Sequence, residues 1–253
     1  MIMTLRKIAI LYTDEDSEWS KPWGNFVDMA IELLEETKKL ECVEQDVEYE
    51  VFHVQNGKFP HLPELQKDEY LGIYITGSKY DSFDDEIEWI IELRRFLNEM
   101  LTSEIEHPPV AGVCFGHQVI AAALGSSVGR NPKGFEGGVV PLKLNSVGQN
   151  LFGGETLNLS EVHSDCVFNV PNGYQNWASS KKCENQGLYR KNKVLTFQGH
   201  PEFKSAVAQK GLLKSRDKLN LEEFEKYERQ CRELNNDGIR AARNIWRLFL
   251  QSL

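Results

Sequence analysis

The sequence predicts an α/β fold, a mostly parallel central sheet flanked by helices. Two observations carry that expectation: short apolar runs of strand length alternate with amphipathic helical stretches over the first half of the chain, and one of those runs passes abruptly into a helix at a cysteine. The junction is Val110-Ala111-Gly112-Val113-Cys114-Phe115-Gly116-His117-Gln118, preceded by Pro108-Pro109, which sets an extended entry. Val119, Ile120, Ala123 and Leu124 then follow at helical spacing, and Gly125 stops them. Cys114 thus sits off the end of a strand, at the free N–H groups and positive end of the following helix. A thiol at such a place should be a better nucleophile than an ordinary buried cysteine, the commoner fate of a free thiol.

In chain order, Ile8 to Tyr12 reads as a first strand, and the N-terminal stretch from Met1, with Arg6 and Lys7 inside it, is expected to belong to that strand and not to a signal peptide. Phe26, Met29, Ala30, Leu33 and Leu34 mark a helix. Val47 to Phe52 alternates as a second strand, and Leu71 to Ile75 is a third, ending in Thr76-Gly77-Ser78. Ile87, Ile90, Ile91, Leu93 and Leu97 place a helix over Asp84 to Met100, with acids in its first turn. After Gly125 come strands at Gly137 to Leu144, Glu155 to Leu159 and Val194 to Gln198. Asn220 with Glu223 reads as a capping box opening a helix through Leu221, Phe224, Cys231 and Leu234. Ile239, Ala242, Trp246, Phe249 and Leu250 form a last amphipathic helix. No repeat or linker interrupts 1–253, so one domain is expected, with a helical C-terminal tail from about residue 204.

The chain has 253 residues, 41% of them hydrophobic and 26% charged, enough for one substantial core. A net charge of -9 without a dense basic cluster argues against nucleic acid or an anionic membrane as partner. No apolar run approaches transmembrane length. Five widely spaced cysteines, with no CxxC and no zinc spacing, point to free thiols in the cytoplasm and to no metal site.

A thiolate attacking a carbonyl needs a base, an orienter for the base, and donors for the oxyanion. His200 and Glu202 follow an apolar strand, and residues i and i+2 face one side in extended geometry, which Pro201 favours at His200. His117 competes for the role of base, but its place in the first turn of the helix directs it into packing. The N–H of Phe115 and the backbone of Gly77 are the candidate oxyanion donors.

These motifs, in this order, resemble the class I, triad-type glutamine amidotransferases: Thr76-Gly77-Ser78, then Cys114-Phe115-Gly116-His117-Gln118, then Gly199-His200-Pro201-Glu202. The resemblance runs from about Ile8 to Phe203. It implies a flavodoxin-like three-layer sandwich, with Cys114 as nucleophile, His200 as base and Glu202 as orienter. It places Gly77 and Phe115 in the oxyanion hole and Gln118 on the glutamyl part of the substrate. Val162-His163-Ser164-Asp165 would hold the amino-acid end, although Asp165 also reads as a loop cap.

Within that family the chain is most similar to stand-alone γ-glutamyl peptidases and fungal amidotransferase-like proteins. That closer likeness lies in Trp23-Gly24-Asn25-Phe26, in Asn56 to Pro60 and in Thr76 to Ser82. The resemblance implies a thiol hydrolase acting on glutamine or a γ-glutamyl peptide, without a cofactor. Only about fifty residues follow Glu202, so ammonia transfer would need a separate synthetase or acceptor subunit. A peptide leaving group would need a groove, bounded by the Lys79 to Asp85 and Arg130 to Glu136 loops. A non-catalytic binding protein is the remaining reading.

Overall fold

The computed structural model describes residues 5–65, 69–103 and 106–253; the first four residues of the expected N-terminal stretch lie outside them. Strand β1 (Arg6–Tyr12) leads to helix α1 (Phe26–Leu40), which Asn25 and Asp28 open as a reciprocal capping box. Then come β2 (Val47–His53), β3 (Tyr70–Ile75), α2 (Glu88–Thr102), β4 (Val110–Val113) and α3 (Phe115–Ala123). The second half contains β5 (Val128–Arg130), β6 (Glu136–Leu144), α4 (Ser146–Phe152), β7 (Thr156–His163) and β8 (Asp165–Val167). Three short strands, β9 (Gln175–Asn176), β10 (Ala178–Ser179) and β11 (Leu188–Arg190), precede β12 (Val194–Phe197), and α5 (Ser205–Lys214), α6 (Leu221–Glu233) and α7 (Gly238–Phe249) close the chain.

The main sheet has the order β2-β1-β3-β4-β12-β11-β9. Its first five strands run parallel, while β11 and β9 add an antiparallel edge. This is the expected α/β sheet, a flavodoxin-like order with one change of direction. Alternation along β1 shows why it makes three layers: Ile8, Ile10 and Tyr12 pack on one face with α1 and α7. Ala9 and Leu11 pack on the other with α2 and α3. Beside this sheet lies an antiparallel unit of β10, β6 and β7, covered by α5 and α6.

Two expectations need correction. The second helix begins at Glu88, not Asp84, because the Asp84 carboxylate accepts the N–H groups of Glu86 (2.7 Å) and Ile87 (3.1 Å) and turns the chain first. The strand expected to end at Leu159 continues to His163, so the Val162 to Asp165 segment begins as the end of a paired strand. The C-terminal stretch from Ser205 is helical and packs onto the rest of the chain. Trp246 of α7 donates its indole N–H to the Leu34 carbonyl (2.9 Å), and Phe249 lies so close to Gly72 that a β-carbon there would approach its ring to 2.1 Å.

The strand-to-helix junction depends on two glycines. A β-carbon at Gly116 would fall 2.5 Å from the Ile75 carbonyl oxygen, and one at Gly112 would fall 2.8 Å from the Gly116 backbone. Helix α3 therefore rests directly on the backbone of β3 and β4. Gly116→Val should push the helix away, at a cost of at least about 1–3 kcal/mol from overpacking. In a urea titration the midpoint should fall at unchanged slope. A midpoint equal to the parent's would mean that the junction does not need this contact.

Candidate active site

Cys114 ends β4 with φ 50° and ψ -102°, a backbone conformation costly for a side chain with a β-carbon. Its N–H reaches the Phe197 carbonyl (2.8 Å) and its own carbonyl accepts from Gln118 N–H (3.0 Å), so the strained residue is tied at both ends. No side chain caps α3, and the N–H of Phe115, its first residue, has no acceptor within the helix. The thiol is buried and borders a cleft of about 220 Å³ at the carboxyl ends of the strands.

β12 brings His200 and Glu202 to the same place. The His200 Nδ1 lies 2.7 Å from Glu202 Oε1, both side chains are buried, and the imidazole borders the same cleft as the Cys114 thiol. Burial disfavours a charged His200, but the Glu202 carboxylate and Cys114 outweigh it and push the pKa up to about 10. Phe203 stacks flat on the ring at 3.9 Å, which fixes its plane, and the His200 backbone N–H donates to the Ser160 carbonyl (2.7 Å), which fixes the main chain that carries it. A thiol, an imidazole and a carboxylate in this chain can raise a nucleophile and relay a proton. His117 is not part of it: its Nδ1 bonds Thr196 Oγ1 (2.8 Å) in the core, and burial, then the charge of His163, lowers its pKa to about 3.

Gly77 also meets the ring: a β-carbon there would come within 2.8 Å of His200 Cε1. Thr13 fastens this turn, its hydroxyl donating to the carbonyls of Thr76 (3.1 Å) and Gly77 (3.0 Å). Gln118 borders the cleft and donates to Gln198 Oε1 (3.1 Å), whose amide nitrogen lies 3.9 Å from Cys114 Sγ. Gln198 was not singled out in the sequence, yet it stands two residues before His200, just past the end of β12, and i, i+2 spacing would have found it.

The remaining candidates are placed less simply. Ser164 lies at the rim, 3.3 Å from Lys218 Nζ. Asp165 binds Arg130 (2.6 Å), which also binds Asp81 (2.7 Å), so the two loops expected to bound a groove are latched to one another. His163 turns inward. Its Nδ1 donates to the Asp165 carbonyl (2.7 Å), and its Nε2 lies 3.3 Å from both Glu136 Oε2 and Glu161 Oε2. Burial opposes charge on His163, but the two carboxylates hold its pKa well above the usual range. Burial pushes Glu161 up to about 7. Glu136, Glu161 and His163 are the one group among the described residues with donor atoms close enough for a metal ion. Glu136 Oε2 is already engaged there by Ser180 and Gln186 (2.9 Å each).

Among the described residues no helix is long and apolar enough to cross a membrane. A Saccharomyces cerevisiae protein named "Putative glutamine amidotransferase" is 81% identical over 99% of this chain and 100% of its own length. γ-Glutamyl peptidase 4 of Arabidopsis thaliana is 31% identical, covering 78% of this chain and 76% of its own. The crystal structure of a glutamine amidotransferase from Methylobacillus flagellatus superposes with a TM-score of 0.68 at 18% identity, covering 99% of this chain and 96% of that one, a likeness of fold. Residues 38–218 match the model of class I glutamine amidotransferases, and with these relatives the match establishes that the chain belongs to the class I glutamine amidotransferase family.

Proposed function

We propose that this protein is a cytoplasmic thiol hydrolase that cleaves a γ-glutamyl amide through a γ-glutamyl thioester on Cys114. The observation that carries the reading is the cleft that Cys114 and His200 line together, with the Glu202 carboxylate bonded to the same imidazole. The Cys114 thiolate attacks the side-chain carbonyl carbon. The N–H groups of Gly77 and Phe115 stabilise the oxyanion. His200 gives its proton to the departing amine, and the C–N bond breaks to leave the thioester. His200 then takes a proton from water, whose oxygen attacks the same carbon and expels the thiolate, releasing glutamate. Glu202 holds the imidazole and offsets its charge in both halves. Gln118, Ser164 and Asp165 face or border the cleft and are the proposed glutamyl contacts, with His163 holding the loop from behind. The residues supply acid–base and nucleophilic chemistry for both halves. The cytoplasmic setting is supported by five free thiols, four of them buried.

The Arabidopsis relative's name favours a peptide as leaving group. The competing reading is a subunit that passes ammonia to a synthetase, which would be a separate chain. We expect the isolated protein to have a higher kcat/KM for a γ-glutamyl dipeptide than for glutamine, with Cys114→Ala as the blank. A ratio well below one, or glutamine turnover that appears only with a co-purifying chain, would return the protein to the amidotransferase subunits.

A diazo-ketone analogue of glutamine should label Cys114 stoichiometrically and spare Cys42, Cys166, Cys183 and Cys231. Labelling spread across the thiols would count against the site.

His200→Ala should lower kcat on the order of a thousandfold or more, and Glu202→Ala by less, because only His200 transfers protons. Loss of turnover in His117→Ala with His200→Ala still active would reverse the assignment of the base.

A further inference from the structure

Part of the cleft lining comes from the segment after β12, where the C-terminus of α5 and the turn beyond it present Lys214 and Lys218. The other cations lining the cleft are neutralised: Lys79 pairs with Glu15 (2.6 Å), and Arg130 with Asp81 and Asp165. Among the described residues neither Lys214 nor Lys218 is in an ion pair, in a chain where 38 acids face 29 lysines and arginines. Each lies against an aromatic ring, Lys214 Nζ 5.6 Å from Trp19 and Lys218 Nζ 5.4 Å from Phe135. A ring face steadies an ammonium without using up its N–H donors. Two ordered, unneutralised cations thus border the cleft that holds the thiol.

Their positions differ in a way that matters to an acyl transfer. Trp19 stands edge-on to Phe203 (5.9 Å), and Phe203 stacks on His200, so Lys214 belongs to the His200 side of the cleft. Lys218 bonds Ser164 and lies against Phe135, so it belongs to the Ser164 loop's side of the cleft. A leaving amine departs toward the acid that protonates it, and the acyl chain runs the other way.

We propose that Lys214 and Lys218 are two carboxylate sites, Lys214 for the carboxylate of the leaving amino acid and Lys218 for the α-carboxylate of the glutamyl group. The inference rests on the hydrolase reading given above and narrows its substrate class. The preferred substrate carries a free carboxylate on the residue next to the scissile amide, which glutamine does not have. A charge-assisted contact of this kind fixes the orientation of both halves of the amide about Cys114.

The test compares γ-glutamyl-alanine with its C-terminal amide and with its α-carboxamide. The parent should prefer the free acid over the C-terminal amide by on the order of tenfold in kcat/KM, mostly through KM. Lys214→Met should bring that ratio close to one, and Lys214→Arg should preserve it. Lys218→Met should instead abolish the preference over the α-carboxamide. The same dipeptide binding to Cys114→Ala protein, followed by calorimetry, reads both lysines without turnover. Binding weakened on the order of tenfold by either methionine, in a chain that turns nothing over, would keep the sites and remove the hydrolase reading. Equal losses on all three substrates, ratios unmoved by either substitution, or no dipeptide binding to Cys114→Ala protein would overturn the two sites.

Discussion

The site depends on one residue being held where its backbone resists going. At Cys114 the chain adopts φ 50°, a conformation that costs on the order of 1–3 kcal/mol for a residue with a β-carbon. It is held because the strand before it pairs on both sides and the helix after it cannot slide, with Gly112 and Gly116 letting backbone touch backbone. The same constraint aims the thiol into the cleft and brings the start of α3 beside it. Thiol and helix terminus cannot move independently, so a change in the packing of α3 changes both.

Around that junction the protein buries several charges, and their pairing explains its local order. Buried ions are costly unless each meets a partner. His200 lies between Glu202 and Cys114, and one strand away His163 lies between Glu136 and Glu161. The two groups touch through Gly199, where a β-carbon would come 2.3 Å from Glu161 Oε1. The bridge from His200 to Ser160 in β7 joins them again. The register between β7 and the end of β12 therefore sets the environment of the imidazole as much as Glu202 does.

The main elements were legible because their signals are local. An apolar run followed by a helical period marked β4 and α3, and the spacing of His200 and Glu202 placed both on one face. Strands of two or three residues, β5 and β8 to β11, have no periodicity to read, and α4 is a two-turn helix capped by Asn145 without a strong apolar stripe. Glu161 and His163 alternate within an apolar strand and could have been read as inward-facing. Their partner Glu136 lies across the β6–β7 pairing, where no sequence spacing points. Lys214 and Lys218 look like ordinary surface lysines until the fold sets them beside the cleft.

The most direct measurement is rapid acid quench of the protein turning over γ-glutamyl-alanine, followed by intact mass and peptide mapping. The expected result is a mass increase of one γ-glutamyl group on the peptide containing Cys114, absent when Cys114 is replaced by alanine. An acyl group on another residue, or turnover that survives Cys114→Ala, would contradict the account.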